Sequence, residues 1–119
     1  MIIKQFEANY VYDSELDIVN IEINEDYVHE KTIELEFGVF LDFDENYIPV
    51  NIEIISASKI IGVDKGCLKN PNGDVNIVIG NNIIDVELIF KFDDEKESLQ
   101  LNALNVFKIP NSETNFALV

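Results

Sequence analysis

The stretch "TIELEFGVFLDF", residues 32–43, sets the architecture. Its odd positions, Ile33, Leu35, Phe37, Val39, Leu41 and Phe43, are all apolar. Glu34, Glu36, Gly38, Phe40 and Asp42 alternate with them. Successive side chains of a strand point to opposite faces, so the stretch reads as one half-buried strand with a defined inner face. The same period runs in both directions. Val19, Ile21 and Ile23 alternate with Asn20 and Glu22, while Val50, Ile52 and Ile54 alternate with Asn51, Glu53 and Ile55. Ile2 to Tyr12 is a less regular extended segment, and Asp13 to Leu16 supplies turn chemistry after it.

Residues 56–73, "SASKIIGVDKGCLKNPNG", interrupt the alternation and read as a connector, with room for one short helical turn near Ala57 to Ile61 and a turn at "NPNG". Alternation then returns in Val75, Ile77 and Ile79, and in Ile84, Val86, Leu88, Phe90 and Phe92. "DDEKE" breaks it before Leu99, Leu101 and Ala103. The phase changes between Ala103 and Leu104, which predicts a bulge or a change of exposure. "PNSETNFALV" (110–119) reads as a loosely held tail that Phe116 and Leu118 could dock. The expected fold is a mainly β single domain over 1–119, all-β or α+β with at most one short helix. Antiparallel meanders at 1–55 and 74–119, the latter including the tail, flank the connector. "DIVNIEI" (17–23) resembles "DVNIVI" (74–79), and 41–54 resembles 90–104 in its strand, acidic turn, strand layout. Two pseudo-repeated halves would then face each other or join edge to edge.

Composition narrows the function classes. The 119 residues are 47% hydrophobic, enough for a core without disulfides or metal, yet they carry 23 acidic residues against 8 lysines and no arginine, for a net charge of −15. Phosphate-backbone binding needs clustered basic residues, so nucleic acid and anionic membrane surfaces are not expected partners. The apolar runs are too short to span a bilayer. With one cysteine, Cys67, and no signal peptide, a reducing cytoplasmic location is expected. Cys67 lies between lysines in "KGCLKN" and reads as structural or incidental.

"DFDENYIPVNIE" (42–53) places Asp42, Asp44, Asn46 and Glu53 at positions one, three, five and twelve of a calcium-loop pattern. Asp42, Asp44 and Glu53 are therefore the candidate metal ligands. Position six is Tyr47 where that loop needs glycine, and the flanks have strand rather than helix period. A β-hairpin fits better, tipped by Asp44-Glu45-Asn46 with Asn46 in the left-handed region. Pro49 belongs at an edge or at the mouth of a strand.

"YDSELDIVNI" (12–21), "GVFLDFDE" (38–45) and "VNIEIISASK" (50–59) resemble the signature of the family called domain of unknown function 2283. The resemblance covers roughly residues 10–60. The matching positions are Tyr12, Asp13, Asp17, Gly38, Asp42, Ile52, Glu53, Ile54, Ala57 and Ser58. The chain departs from the pattern at Asn20, Tyr47 and Asn51, where the family has tyrosine, glycine and glycine. The resemblance implies the strand layout and no activity.

Glu22, Glu34, Glu36, Asp42 and Glu53 all fall on the polar side of their strands. They would gather on one face if those strands were neighbours, as a solvated surface or as a divalent-cation or acid–base site. Phe40, Ile55, Ile18 and Ile89 are apolar residues on that same side. His29 is the only histidine and reads as a loop residue, and the five scattered glycines make no phosphate loop. No catalytic residue and no cofactor site emerge. The expected function is a non-catalytic interaction or structural module that self-associates. The alternatives are a divalent-cation or carboxylate chemistry on the acidic face, and an antitoxin-like acidic binder of a basic protein partner.

Overall fold

The computed structural model describes residues 3–36, 38–92 and 95–119. Ile2, Phe37 and the Asp93–Asp94 step, all used in the sequence reading, lie outside them. The described strands are β1 (Ile3–Asp13), β2 (Ile18–Ile23), β3 (His29–Glu36), β4 (Val39–Asp44), β5 (Pro49–Ile55), β6 (Asn72–Ile79), β7 (Ile83–Phe92), β8 (Glu95–Leu104) and β9 (Ser112–Leu118). They form one sheet in the order β3-β4-β5-β2-β1-β9-β6-β7-β8, antiparallel throughout except for the β1–β9 pair. A short helix α1 (Ala57–Ile61) and a 3₁₀ turn (Lys65–Leu68) make the connector. The edge strands β3 and β8 approach one another, and Lys31 Nζ sits 3.8 Å from the centre of the Phe107 ring. No described helix is long and apolar enough to cross a membrane.

The inner face carries the alternating residues. Val19, Ile21, Leu41, Phe43, Ile52, Ile54, Val75, Ile77, Ile84, Val86 and Leu88 are fully buried. Tyr10 packs edge-on against Phe90, and its hydroxyl donates to the Leu68 carbonyl at 2.7 Å, tying β1 to the connector.

Three readings of the sequence need correction. First, residues 32–43 are not one strand. Gly38, at φ +87°, turns β3 back on β4, so that Ile33 faces Leu41. The β3–β4 register shifts by one residue between Glu34 and Glu36, which keeps odd-numbered residues on the inner face of both strands, so alternation alone cannot show the break. A Cβ on Gly38 would also lie 3.2 Å from the Ile55 carbonyl oxygen. Second, the C-terminal segment is no loose tail. β9 lies between β1 and β6 and joins the two halves of the sheet, with Phe116 fully buried. Third, Tyr47 rather than Asn46 takes the left-handed conformation, at φ +59°. Asp44 enforces it: Asp44 Oδ1 accepts from the N–H groups of Asn46 (2.8 Å) and Ile48 (2.9 Å), while the Tyr47 N–H donates to the Asp44 carbonyl. The phase change after Ala103 is the end of β8, whose ladder to β7 runs unbroken to Leu104.

The two halves share strands and a hairpin but not their pairing. β2 pairs with β5, whereas β6 pairs with β7 and β9 and does not touch β8, the strand that matches β5 in the repeat.

Thr114 occupies a core position of β9 at 2% exposure, and its Oγ1 has no hydrogen-bond partner. Valine has the same branched shape without the polar atom. Thr114→Val is therefore expected to stabilise the fold by about 1 kcal/mol, read as a rise in the urea midpoint at unchanged slope. A lowered midpoint would show that the hydroxyl has a partner in solution.

Candidate cation-binding face

Asp17 organises the residues around the first turn. It sits at φ +57° between β1 and β2. Its Oδ1 accepts from the Tyr12 hydroxyl (2.7 Å) and the Ser58 N–H (3.1 Å), and its Oδ2 accepts from Ser58 Oγ (2.6 Å). The Ala57 N–H donates to the Asp17 carbonyl. Tyr12, Asp17, Ala57 and Ser58 thus form a latch holding α1 against the sheet. Burial opposes the Asp17 charge, but the hydrogen bonds from Ser58 and Tyr12, with Lys65, outweigh it and hold the carboxyl below its usual range. Burial and the same contact, reinforced by the charges of Asp17 and Asp13, push the Tyr12 phenol up to about 12.

A depressed carboxyl stabilises the fold above its unfolded-state pKa and loses that contribution as pH falls through the folded-state value. Wild type should therefore lose stability relative to Asp17→Asn as pH drops below 3.8, the ordinary value of this group. Urea midpoints of the two proteins that stay parallel from pH 6 to pH 2 would remove Asp17 from the acid response.

The carboxylates expected on one face do come together, because β2, β5, β4 and β3 are adjacent. The ladders place Thr32, Asp42, Asn51 and Glu22 in one outer row, and Glu34, Phe40, Glu53 and Asn20 in the next. Asp42 accepts from Thr32 Oγ1 on Oδ1 and from Asn51 Nδ2 (2.9 Å) on Oδ2. The Tyr27 hydroxyl donates to Glu22 Oε2. His29 is exposed at the start of β3 and joins this row, with Nε2 2.8 Å from Thr32 Oγ1 and 3.6 Å from Asp42 Oδ1. Burial comes first and the charges of Glu22 and Asp42 add to it in raising the Tyr27 phenol above its usual value.

The metal candidates separate. Asp44 spends its carboxylate on the turn, Asp42 is held by Thr32 and Asn51, and Glu53 lies in the second row opposite Asn20 and Phe40. Among the described residues, no three His, Cys, Asp or Glu side chains are placed to hold one metal ion. Glu36 faces Val39 at the hairpin end. Of the apolar outliers, Ile18 pairs with Ile55, and Ile60 of α1 reaches the Gly38–Ile55 corner. Ile89 stands apart on β7 between Asp74 and Ser98.

Alternation pointed to the carboxylates but passed over Asn20, Asn51 and Tyr27. The two asparagines were legible as polar-face residues. The burial of Asn51 and of the Asn20 Oδ1 was not, since it depends on which strands adjoin. Cys67 lines a groove of about 510 Å³ with Lys69, Lys91 and Phe92. Comparison of the chain with family models, curated proteins and solved structures finds no match.

Proposed function

We propose that this chain is a non-catalytic interaction module whose acidic outer face on β2, β5, β4 and β3 receives a basic protein partner. The observation that carries the reading is the pair of adjacent rows holding Glu22, Asp42, Glu34 and Glu53 on one sheet face. Such a face on a chain of −15 steers a cationic surface toward it and repels a second copy. Charge complementarity therefore favours a basic partner over the self-association expected from composition. We carry the resemblance to domain of unknown function 2283 as a proposed likeness of scaffold, in which its positions Tyr12, Asp17, Ala57 and Ser58 are the hydrogen-bonded latch. The lone cysteine suits a reducing, cytoplasmic setting.

The test is capture from native lysate at low and high salt, with wild type beside the variant carrying Glu22→Gln, Glu34→Gln, Asp42→Asn and Glu53→Gln. A basic protein retained stoichiometrically by wild type, released by salt and absent from the variant supports the reading. Equal retention by both proteins would place the interface elsewhere. A micromolar, stoichiometric calcium titration by calorimetry would replace it with the divalent-cation alternative.

A further inference from the structure

We propose that Asn20, Glu22, Asn51 and Glu53 form a receptor for the guanidinium of an arginine presented by that partner; this rests on the acidic-face reading above and gives it a ligand. In the β2–β5 ladder Asn20 faces Glu53 and Glu22 faces Asn51. The four side chains therefore make a square on the outer face, with amides on one diagonal and carboxylates on the other. Asn51 is only 7% exposed, and its Nδ2 donates to Asp42 on the β4 side. The amide oxygen lies on the other side of the same planar group, so Oδ1 is turned toward β2 and the square. It has no hydrogen-bond partner, and neither has the buried Oδ1 of Asn20. Each such acceptor destabilises the fold when left unpaired, and two of them share one diagonal here.

What surrounds them is more acceptor. Glu22 and Glu53 offer only carboxylate oxygens; the Tyr27 hydroxyl already serves Glu22 and Asn51 Nδ2 serves Asp42, which leaves Asn20 Nδ2 as the remaining side-chain donor of the square. The square therefore holds more acceptors than donors and no positive charge. Arginine supplies five N–H donors in a planar fork that spreads in several directions, whereas lysine delivers three from one point. Cross-strand neighbours stand about 5 Å apart, a spread that suits a fork better than a metal ion, which draws its oxygens to within about 2.6 Å of one centre. The chain has no arginine of its own, so the ligand must come from outside. Tyr27, half-buried in the irregular segment before β3, donates to Glu22, so a guanidinium that takes Glu22 competes with its hydroxyl.

The experiment is an NMR titration of the whole chain at low salt with three capped peptides identical except for a central arginine, lysine or citrulline. The arginine peptide is expected to shift the side-chain amides of Asn20 and Asn51. It should bind roughly tenfold tighter than the lysine peptide, and the neutral citrulline peptide should not bind. Asn51→Leu, and separately Asn20→Leu, should abolish the preference for arginine. Neither variant depends on preserving the orphaned oxygen for folding, and the backbone spectrum reports the fold directly. Equal binding of arginine and lysine peptides, or shifts confined to Glu34 and Asp42, would overturn the receptor while leaving the acidic face as an interface. Failure of both cationic peptides to bind would remove both readings. Shifts of the same two amides by micromolar calcium alone would make the square a metal site and overturn the proposal.

Discussion

Gly73→Ala is expected to lower the midpoint of thermal unfolding by more than about 10 °C. Gly73 lies in β6 opposite Phe90, at φ +148°, a conformation that side-chain-bearing residues rarely adopt. A Cβ built there would stand 1.9 Å from the Ile89 carbonyl oxygen and 2.9 Å from its carbon. Both are backbone atoms of β7, so no rotamer change can relieve the overlap, and the strand itself must move. β7 carries Ile84, Val86, Leu88 and Phe90 into the core, and its displacement disturbs all four. Backbone strain of about 1–3 kcal/mol adds to overpacking of similar size, for a total of about 3–5 kcal/mol. Gly66→Ala is the control, since nothing stands within 4 Å of a Cβ there. Scanning calorimetry that found the two variants melting together would refute the close approach of β6 to β7.

Asn105→Ala should cost about 2–4 kcal/mol in denaturant unfolding. Asn105 is 3% exposed and uses its whole amide. Nδ2 donates to the carbonyls of Gly80 and Ile109, both at 2.9 Å, and Oδ1 accepts from the Ile109 N–H at 2.8 Å. One side chain thus fastens the segment leading into β9 to the β6–β7 turn. Alanine leaves those backbone groups without their partner. Asn105→Asp should be worse at neutral pH, because a carboxylate oxygen would face two carbonyl oxygens. Its carboxyl pKa would be raised in the fold, so the variant should regain stability as the pH falls, opposite in sign to the effect at Asp17. An Asn105→Asp protein as stable as wild type at pH 7 would show that the amide does not bridge these loops.

Both predictions fall on residues the sequence left unremarked. Gly73 reads as part of a turn in "NPNG", and Asn105 as one more asparagine after a strand. What makes each indispensable is a neighbour far away in the chain: Ile89 for one, Gly80 for the other. The same holds on the acidic face. Glu22, Asp42 and Glu53 were visible as polar-side residues, whereas Asn20 and Asn51 gained meaning only when β2 and β5 became neighbours.

The sequence by itself determined the β class, the inner face of nearly every strand, the short helix at Ala57 to Ile61 and the hairpin at Asp44. Each follows from a period of two or from side-chain-to-backbone bonding over a few residues, which are local effects. Only the tertiary structure decided that residues 32–43 fold back at Gly38, that β9 is the strand joining both halves, and that two asparagines meet two carboxylates on one face. Alternation fixes which way a side chain points but is blind to which strand lies beside it. Pairing is chosen by the burial of the whole sheet, and so it sets the register from which the acidic rows arise.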